Sequence, residues 1–424
     1  MLNLPTLALL NYQKYLRMFS VFKSISLCNF KSARDLDIPL QKLTVLSGLN
    51  GSGKSTVLQA IGLLRQSLQI SAVSTVEHAQ ELAELHLRGP LIQLGTASDV
   101  LSQRASEYKI EISLSLNVPD SKWIVSADID KENMDAYTLK VTQRRPRGQK
   151  LIEQLDHSAN AAQKQLNDCY FQFLQADRLT PNTHYERSDT TDGNFGFLGT
   201  GGQYTPDYLA EHGDTLDVRP SRRCPNSASG VAENLMGRIA ATPKLYDQVS
   251  GWMQHLSPGV RLNAERINQT DLVTLGFSYA STELAQDSDR RRPANVGFGL
   301  TYCLPIVTAC LSAPPGSLLL LENPEAHLHP RGQAAMGALL AKCAGDGVQI
   351  LVETHSDHVL NGIRLAVKHE AIPNVDVGLR HFTRDTASGD SFFESPMVLP
   401  SGELTAWPEG FFDEWEKSLE ELLK

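Results

Sequence analysis

Two hydrophobic patterns divide the chain. In the first, apolar and polar residues alternate, as they do over 109–116, 123–129 and 137–141. Successive side chains of a strand point to opposite faces. Three such stretches with turn residues between them therefore predict an antiparallel sheet with one solvent-exposed face. In the second pattern, a continuous apolar run ends in an acidic residue, as over 317–322 and 348–353. These two runs predict parallel strands that are buried on both faces.

Helical spacing and turn composition predict most of the remaining elements. Apolar residues recur at the helical period in several segments, and two short strands begin the regular part of the chain. A long stretch rich in Gly, Thr, Asp, Ser and Pro is expected to form loops. The further predicted strands are 21–27, 36–40, 171–175 and a pair within 260–277; the predicted helices are 57–70, 77–88, 231–256, 300–309 and 331–344; the predicted loops are 182–230.

The glycine-rich stretch 48–55 follows an apolar strand and precedes a predicted helix. Its sequence, Gly-Leu-Asn-Gly-Ser-Gly-Lys-Ser, fits the phosphate-binding P-loop pattern. Glycines let backbone N–H groups turn toward phosphate oxygens, and the helix N-terminus adds a positive field. We expect Lys54 to reach the β- and γ-phosphates and Ser55 to bind Mg²⁺. The expected nucleotide-binding residues of this loop are Asn50, Gly51, Ser52, Gly53, Lys54, Ser55 and Thr56.

The two buried strands place an acid and a histidine where a nucleotide site needs them. Glu322 ends the first strand, and His355 follows the second. The predicted helix between them makes a β-α-β unit with a right-handed crossover. Because the carboxyl ends of parallel strands form the ligand-binding edge of a sheet, an acid at that edge is typical of a Walker B magnesium ligand.

Composition narrows the class of protein. A length of 424 residues allows one large domain or two to three ordinary ones, and 41% hydrophobic with 21% charged residues is typical of a globular protein. The six cysteines are scattered without a C-x-x-C pair, which predicts reduced thiols and a cytoplasmic location. No apolar run reaches the roughly 18 residues of a membrane span. The net charge of −9 argues against a nucleic-acid coat but leaves room for a local basic groove.

Three smaller features leave alternatives open. The basic stretches 144–150 and 290–292 are either solvated loops or contacts to the phosphates of nucleotide or DNA. His327 and His329, close to Glu325, suggest a metal cluster, although a fourth close ligand is lacking. We find no nuclease motif, no internal repeat and no sustained heptad pattern.

Several separated motifs, in order from about residue 21 to the end, resemble one family. The order of P-loop, Walker B acid and strand-tip histidine resembles the ATPase heads of ABC- and SMC-type proteins. The strings ENPEAHLHP (322–330) and ETHSDH (353–358) resemble those of ABC-type AAA-family ATPases, the bacterial relatives of the overcoming-lysogenization-defect ATPases. The remaining matching pieces are NFKS (29–32), NVGFGL (295–300), LPI (304–306) and GELTAWPEGFFD (402–413), the last resembling the closing domain of unknown function in one subgroup.

The resemblance implies roles for individual residues. Asn295, Gly297 and Gly299 match the signature motif, which in ABC heads contacts the γ-phosphate of the partner subunit's nucleotide. His355 is implied to be the switch histidine that senses the γ-phosphate. Glu322 takes the Mg²⁺ position. The resemblance also implies that His327 and His329 are loop residues facing a dimer partner. It makes Gln175 and Arg178 candidates for the glutamine loop.

One departure from ABC heads bears on the chemistry. There the Walker B acid is followed by a catalytic glutamate that polarises water, whereas Asn323 stands at that position here. An amide can orient water but cannot act as a base. Either Glu325 substitutes or hydrolysis is slow, and slow hydrolysis suits a switch or clamp more than a motor.

The implied fold is an α/β ABC-ATPase head with a mixed sheet core, an antiparallel β subdomain, a helical insertion and a small C-terminal cap. We expect five parts, which are a loose N-terminal extension (1–17), an N-terminal lobe with the P-loop (18–181), a loop-rich and helical insertion (182–290), a C-terminal lobe (291–375) and the cap (376–424).

The implied function is ATP binding and hydrolysis with Mg²⁺ in a homodimer, or a higher homo-oligomer, whose paired heads sandwich two ATP molecules. Such a head would act as a sensor or clamp in an anti-phage defence complex and regulate a separate nuclease or toxin subunit, with nucleic acid a candidate partner and no membrane. A DNA-repair or chromosome-maintenance ATPase is the alternative, which the lack of coiled-coil arms and of a zinc hook disfavours. A transporter ATPase is disfavoured by the motifs at 322–330 and 407–412.

Overall fold

The computed structural model describes residues 21–74, 82–118, 121–142, 161–188, 196–225, 239–280, 288–408, 410 and 414–423. The expected extension 1–17 and the basic stretch 144–150 lie outside these residues. Tertiary contacts divide the chain into two compact units. Unit 1 comprises Met1–Cys169, Val377–Met397 and Thr405–Lys424, and unit 2 comprises Tyr170–Asp376 and Val398–Leu404.

Strands and helices are interspersed along the described residues. The strands are β1 (Phe22–Phe30), β2 (Ala33–Pro39), β3 (Leu43–Gly48), β4 (Glu84–His86), β5 (Lys109–Leu116), β6 (Lys122–Asp128), β7 (Thr138–Val141), β8 (Phe171–Leu174), β9 (Tyr185–Glu186), β10 (Val260–Arg266), β11 (Leu272–Tyr279), β12 (Leu318–Glu322), β13 (Gln349–Glu353), β14 (Val377–Arg384) and β15 (Ser391–Glu394). The α-helices are α1 (Lys54–Ser74), α2 (Ala97–Val100), α3 (Thr205–His212), α4 (Leu245–Met253), α5 (Phe298–Ser312), α6 (Pro330–Gly345), α7 (Asp357–Lys368) and α8 (Glu414–Leu422). Residues 161–168 are also helical.

An antiparallel sheet with strand order β2-β1-β5-β6-β7-β4 forms a large part of unit 1. The predicted meander of β5, β6 and β7 is confirmed within it. On its apolar face Leu27 lies opposite Ile112, and both are fully buried. The alternation in the sequence therefore reports the buried face of this sheet correctly.

The predicted helix 77–88 is wrong where the structure describes it. Glu84–His86 forms the edge strand β4, which pairs antiparallel with β7 and places Leu85 opposite Leu139. Both leucines are buried. A mostly polar segment has no apolar stripe that could hold a helix against the unit, so burying one leucine in a strand outweighs helical propensity.

The strand that leads into the P-loop, β3, pairs with a strand from the C-terminal part of the chain. β14 pairs parallel with β3, with Phe382 opposite Gly48, and β15 pairs antiparallel with β14. The expected cap 376–424 therefore begins as two strands beside the P-loop strand. α1 starts directly after the loop, as predicted.

Three parallel strands lie at the centre of unit 2. β12 pairs with β13 on one side and with β8 on the other. Leu320 lies between Phe173 and Leu351, and all three are fully buried. α6 joins β12 to β13. The predicted β-α-β unit is confirmed.

The rest of unit 2 holds a smaller sheet and two helices. β10, β11 and β9 are antiparallel, which confirms the strand pair predicted within 260–277. The helix predicted over 231–256 is confirmed at Leu245–Met253, while 226–238 lies outside the described residues. The loop prediction for 182–230 is wrong at α3. This helix has Pro206 in its first turn and a buried Asp207 that pairs with Arg266 on β10, Oδ1 to Nε 2.6 Å, and this tertiary ion pair has no local sequence signature.

Two findings concern location. No helix among the described residues combines the length and the apolar character needed to cross a membrane. All six cysteines are free thiols, as predicted.

Two glycines let α6 and α7 pack backbone against backbone. A Cβ added to Gly337 would overlap the carbonyl oxygen of Val359, and one added to Gly362 would overlap that of Ala334. Glycine here serves close helix packing and not a turn.

Gly337→Ala tests this packing by the sign of its effect on stability. Helix propensity alone would stabilise α6 by about 1 kcal/mol, since glycine is a poor helix former. The overlap with Val359 should instead destabilise the protein by about 1–3 kcal/mol. The measurement is the free energy of unfolding in urea, and a stabilised variant would contradict the packing described.

Candidate functional site

The P-loop lies in unit 1 between β3 and α1. Its glycines have left-handed or otherwise glycine-favouring φ angles of +133° at Gly48, +76° at Gly51 and +103° at Gly53. A Cβ on Gly48 would overlap the carbonyl oxygen of Phe382 on β14, and one on Gly53 would overlap Oγ of Ser391 on β15. Glycine at these positions therefore lets the loop lie against the β14–β15 pair.

Lys54, the first residue of α1, holds the loop closed. Its side chain is only 3% exposed, and Nζ donates to the carbonyl oxygens of Gly48 and Leu49, both at 2.9 Å. Asn50 and Gly51 are exposed at the tip of the loop. The arrangement fits a phosphate cradle, because the ammonium already lies among the backbone groups of the loop.

The hydroxyl residues of the loop lie at different depths. Ser52 is buried, and its Oγ has no hydrogen-bond partner among the described residues. Ser55 is half-buried and Thr56 is buried. A buried hydroxyl without a partner costs about 1–3 kcal/mol, so this loop is built for a ligand with hydrogen-bonding groups.

Glu322 ends β12 in unit 2 and lies beside a second acid. Glu353 stands opposite it at the end of β13. Burial raises the pKa of Glu322, and the charge of Glu353 raises it further, while the N–H of Ala176 donates to Oε2 at 3.0 Å and lowers it. Two carboxylates at neighbouring strand tips fit a divalent cation, which would offset their repulsion.

Asn323 follows with a strained backbone. Its φ is +43°, a conformation that costs a non-glycine residue about 1–2 kcal/mol. Its N–H donates to the carbonyl oxygen of Glu353 at 2.8 Å. Its side-chain Oδ1 is buried and has no hydrogen-bond partner in the part of the chain that the structure describes. The amide oxygen can therefore accept a hydrogen bond from water or ligand.

Glu325 connects the loop after β12 to the end of β13. Its Oε2 accepts from Oγ1 of Thr354 at 2.8 Å, and its Oε1 accepts from the N–H of His355 at 2.7 Å. His355 is itself exposed. Both carboxylate oxygens are therefore engaged in holding the tip of β13.

The signature segment forms an exposed helix start in unit 2. Asn295 ends a short 3₁₀ turn, and Gly297 is the N-cap of α5 without a side-chain cap bond. Both residues are exposed, and a Cβ added to Gly297 would meet nothing within 4 Å. Gly299 differs, since its Cβ would lie 2.5 Å from the carbonyl oxygen of His327. Gly297 therefore leaves open space, whereas Gly299 permits packing within unit 2.

The glutamine-loop candidates lie at the same edge of the sheet as Glu322. Gln175 directly follows β8, whose Leu174 is opposite Leu321 of β12. Arg178 is 2% exposed, and its guanidinium donates to the carbonyl oxygens of several residues of this edge. The sequence signal was a polar turn after a short apolar strand, and it gave no indication that Arg178 would be buried.

Of the basic triplet, one arginine has a structural role. Arg290 donates to Thr274 Oγ1 at 2.7 Å and pairs with Glu265 at 3.2 Å, which attaches it to β10 and β11. Arg291 and Arg292 are exposed. Arg290 is therefore attached to the small sheet, and the two interpretations of the triplet stay open for Arg291 and Arg292.

The histidines after the Walker B acid have packing and capping roles. His327 packs edge-on against Tyr302, with ring centroids 4.7 Å apart, and against Phe298 at 5.8 Å. His329 is the N-cap of α6 and accepts from the N–H of Arg331. Among the described residues no group of three or more His, Cys, Asp or Glu side chains could hold a metal ion.

Solved structures similar to the chain include heads of SMC proteins. An SMC head bound to the C-winged helix domain of ScpA is 15% identical, with a TM-score of 0.45, and covers 89% of this chain and 98% of its own. An SMC head with an extended coiled coil from Pyrococcus furiosus, bound to the C-terminal domain of ScpA, is 16% identical at a TM-score of 0.45, over 96% and 100%. The SMC head domain from Thermotoga maritima is 12% identical at 0.39, over 88% and 98%.

Three protein-family models match the sequence, whereas no curated protein does. A model described as "AAA ATPase domain" matches residues 22–190, and one described as "AAA domain, putative AbiEii toxin, Type IV TA system" matches residues 202–361. A model described as a protein of unknown function, DUF3696, matches residues 372–422. The two AAA matches include the P-loop, the segment 295–300, Glu322 and His355, so the candidate site residues lie in the parts of the chain that are similar to AAA ATPase domains.

Proposed function

We propose that the chain is a cytoplasmic ATPase head that dimerises on ATP and acts as a sensor or clamp in an anti-phage defence complex, where it regulates a separate nuclease or toxin subunit. The observation that carries the proposal is the exposed start of α5. Gly297 has open space around its α-carbon, and as a glycine it carries no side chain that could cap the first N–H groups of this helix. Such a helix start favours an anion.

The P-loop would hold the phosphates of ATP. Lys54 would exchange its two loop carbonyls for phosphate oxygens, and Asn50 to Thr56 would surround them with backbone N–H groups. Ser55 and Glu322 would hold Mg²⁺. When bound, this ion would offset the negative charge of the phosphate oxygens.

A second copy of the chain would complete each site. Asn295 and Gly297 of one copy would contact the γ-phosphate held by the other copy, so two identical heads would enclose two nucleotides. His355 would sense the same phosphate. Gly299 would support this contact from behind, because it lets the first turn of α5 pack on the loop that follows Glu322.

The water-activating groups favour slow turnover. Asn323 can orient water through its unpartnered Oδ1 but cannot accept a proton. Both oxygens of Glu325 already accept a hydrogen bond, from Thr354 and from His355, so only its remaining lone pairs could take a proton. A dimer that hydrolyses slowly stays closed for long, which suits a clamp.

The defence setting rests on two similarities. The family description matched by 202–361 names a toxin of a toxin–antitoxin system. The ENPEAHLHP string resembles ATPases of phage-defence type. Exposed Arg291 and Arg292 beside the signature segment favour the second candidate, a DNA-repair or chromosome-maintenance ATPase. Salt-dependent binding of DNA to the ATP-bound dimer would favour that candidate, and its absence would favour the first.

Lys54→Ala should abolish ATP binding, because it removes the only cation bonded to the loop carbonyls among the described residues of the P-loop. Titration calorimetry with ATP·Mg²⁺ measures the Kd. Lys23→Ala, an exposed lysine on β1 of the same unit, is the matched control and should bind like wild type. Tight ATP binding by Lys54→Ala would count against the P-loop assignment.

Glu325→Gln should lower kcat by about 10²-fold or more with little change in the Kd of ATP, as expected for loss of a general base. Thr354→Val is the control, since it removes one hydrogen bond to Glu325 and keeps the carboxylate. It should lower kcat less than about 10-fold. Equal losses in the two variants would mean that Glu325 only holds the strand tip and would leave Asn323 as the group that positions water.

Gly297→Asp should block ATP-dependent dimerisation while leaving the fold intact. The φ at this position is −60°, and aspartate is a favourable N-cap, so the free head should be at least as stable as wild type. Its carboxylate would repel the γ-phosphate of the partner subunit's nucleotide. Light scattering with and without ATP·Mg²⁺ gives the mass, and thermal unfolding is the control. A dimer insensitive to ATP and to this change would refute the sandwich.

A further inference from the structure

Arg178 joins three segments of unit 2 through their backbone. Its Nη1 donates to the carbonyl oxygen of Gln175 at 2.9 Å and to that of Glu322. Its Nη2 donates to the carbonyl oxygen of Asn323 at 2.6 Å, and its Nε donates to that of Tyr302 at 3.2 Å. One side chain thus bonds the turn after β8, the end of β12 and the second turn of α5.

The residue type suits this task. Only arginine offers five N–H donors in a planar fork, and its guanidinium is weakly hydrated enough to be buried. Burial lowers the pKa of Arg178, while the nearby charges of Glu325 and Glu322 raise it. All four hydrogen-bonded acceptors are backbone carbonyls, so the side chain fixes backbone geometry.

The bond to Asn323 holds a strained residue. With φ at +43°, Asn323 needs support on both sides of its backbone. Its N–H is bonded to Glu353 at 2.8 Å and its carbonyl oxygen to Arg178. This pair of bonds fixes the backbone from which the buried, unpartnered Oδ1 projects.

The bond to Tyr302 reaches α5 where its own hydrogen bonding is interrupted. Pro305 lies inside the helix and has no N–H for the carbonyl of Thr301, the neighbour of Tyr302. The Tyr302 ring also contacts the guanidinium, 5.5 Å from Cζ to the centroid, and packs on His327. The start of α5 is therefore attached to the loop after Glu322 by side chains as well as through Gly299.

We propose that Arg178 is a positioning residue that makes the signature helix α5 and the Walker B tip move as one piece. Contact of a nucleotide with the start of α5 is thereby transmitted to Asn323 and to the water that it orients. The proposal rests on the proposed ATPase function, and its test has an arm that does not.

Arg222 provides a matched control. It is fully buried, donates to the carbonyl oxygens of Cys310 at 3.1 Å and of Ala313, and pairs with Asp346 at 2.7 Å. Arg222 therefore bonds the backbone at the end of α5, as Arg178 bonds the backbone near its start, but it does so away from Asn323. Arg178→Gln and Arg222→Gln should lose stability alike, and only the first should affect catalysis.

The kinetic arm separates turnover from binding. For Arg178→Gln, kcat per folded molecule should fall at least about 10-fold while the Kd of ATP, which the P-loop determines, changes less than about 3-fold. For Arg222→Gln, kcat and the Kd of ATP should both stay within about 2-fold of wild type. In an Asn323→Gly background, where glycine adopts the positive φ unaided, Arg178→Gln should lower kcat less than about 2-fold further, because residues acting as one unit are not additive.

The second arm is amide hydrogen exchange of the nucleotide-free protein. Arg178→Gln should speed exchange in peptides covering 298–306 and 318–328 by at least about 10-fold, since local opening loses its brace. Arg222→Gln should speed amide exchange only in a peptide covering 307–316.

The outcomes are distinguishable. Equal catalytic effects of the two substitutions, or exchange that rises in 318–328 but not in 298–306, would overturn the proposal. Wild-type protein without ATP turnover would refute the proposed function, and the exchange arm would still decide whether Arg178 joins the two segments.

Discussion

A parallel strand that is buried on both faces can present polar groups only at its ends, and this constraint determines where the chemistry of unit 2 lies. In β12 the apolar residues Leu318–Leu321 precede Glu322, and in β13 Ile350–Val352 precede Glu353, so the apolar part of each strand ends in a glutamate. The acids cannot be moved inward, because a buried carboxylate without a partner is too costly. They can be placed at the strand ends, where neighbouring backbone N–H groups and a cation are able to compensate their charge.

The same constraint leaves carbonyl groups at the strand ends that no further ladder can satisfy. A buried carbonyl without a partner costs about 1–3 kcal/mol. Arg178 satisfies the carbonyl at the end of β12 and three others in adjoining segments, and Arg222 satisfies two carbonyls at the other end of α5. α5 is buried along most of its length, so these two arginines supply polar anchors for a helix whose packing is otherwise apolar. The hydrophobic effect is non-directional, whereas hydrogen bonds at both ends of the helix depend on direction and help to define its register.

The sequence predicted those parts of the fold that depend on local pattern. The alternation over 109–116 and the apolar run over 317–322 each follow from which faces are buried, and the P-loop follows from its glycine spacing. The strand at Glu84–His86 and helix α3 were mispredicted, since pairing with β7 and the ion pair of Asp207 are tertiary interactions. β14 was not predicted as a neighbour of β3, because residues more than 300 positions apart carry no shared pattern.

For the candidate site, the sequence predicted which residues to examine but not their surroundings in space. Motif spacing identified Lys54, Glu322 and His355 as residues to examine, but it could not show that Gly297 faces open space while Gly299 permits a backbone contact with His327. Both are glycines in one hexapeptide, and only the neighbours in space separate their roles. Likewise the sequence suggested Glu325 as a base without showing that both of its oxygens are engaged.

That engagement bears on the turnover expected under the proposed function. In the proposed site Glu322 would hold Mg²⁺ and Asn323 cannot take a proton, so Glu325 is the remaining acid of the loop after β12. Each of its oxygens already accepts one hydrogen bond, from Thr354 and from the backbone N–H of His355, so only its remaining lone pairs could take a proton from water. The same two bonds fix the carboxylate at the tip of β13, so it could act only on water that lies within reach of that position. Turnover limited in this way would keep the nucleotide bound long enough for the bound state itself to be the signal.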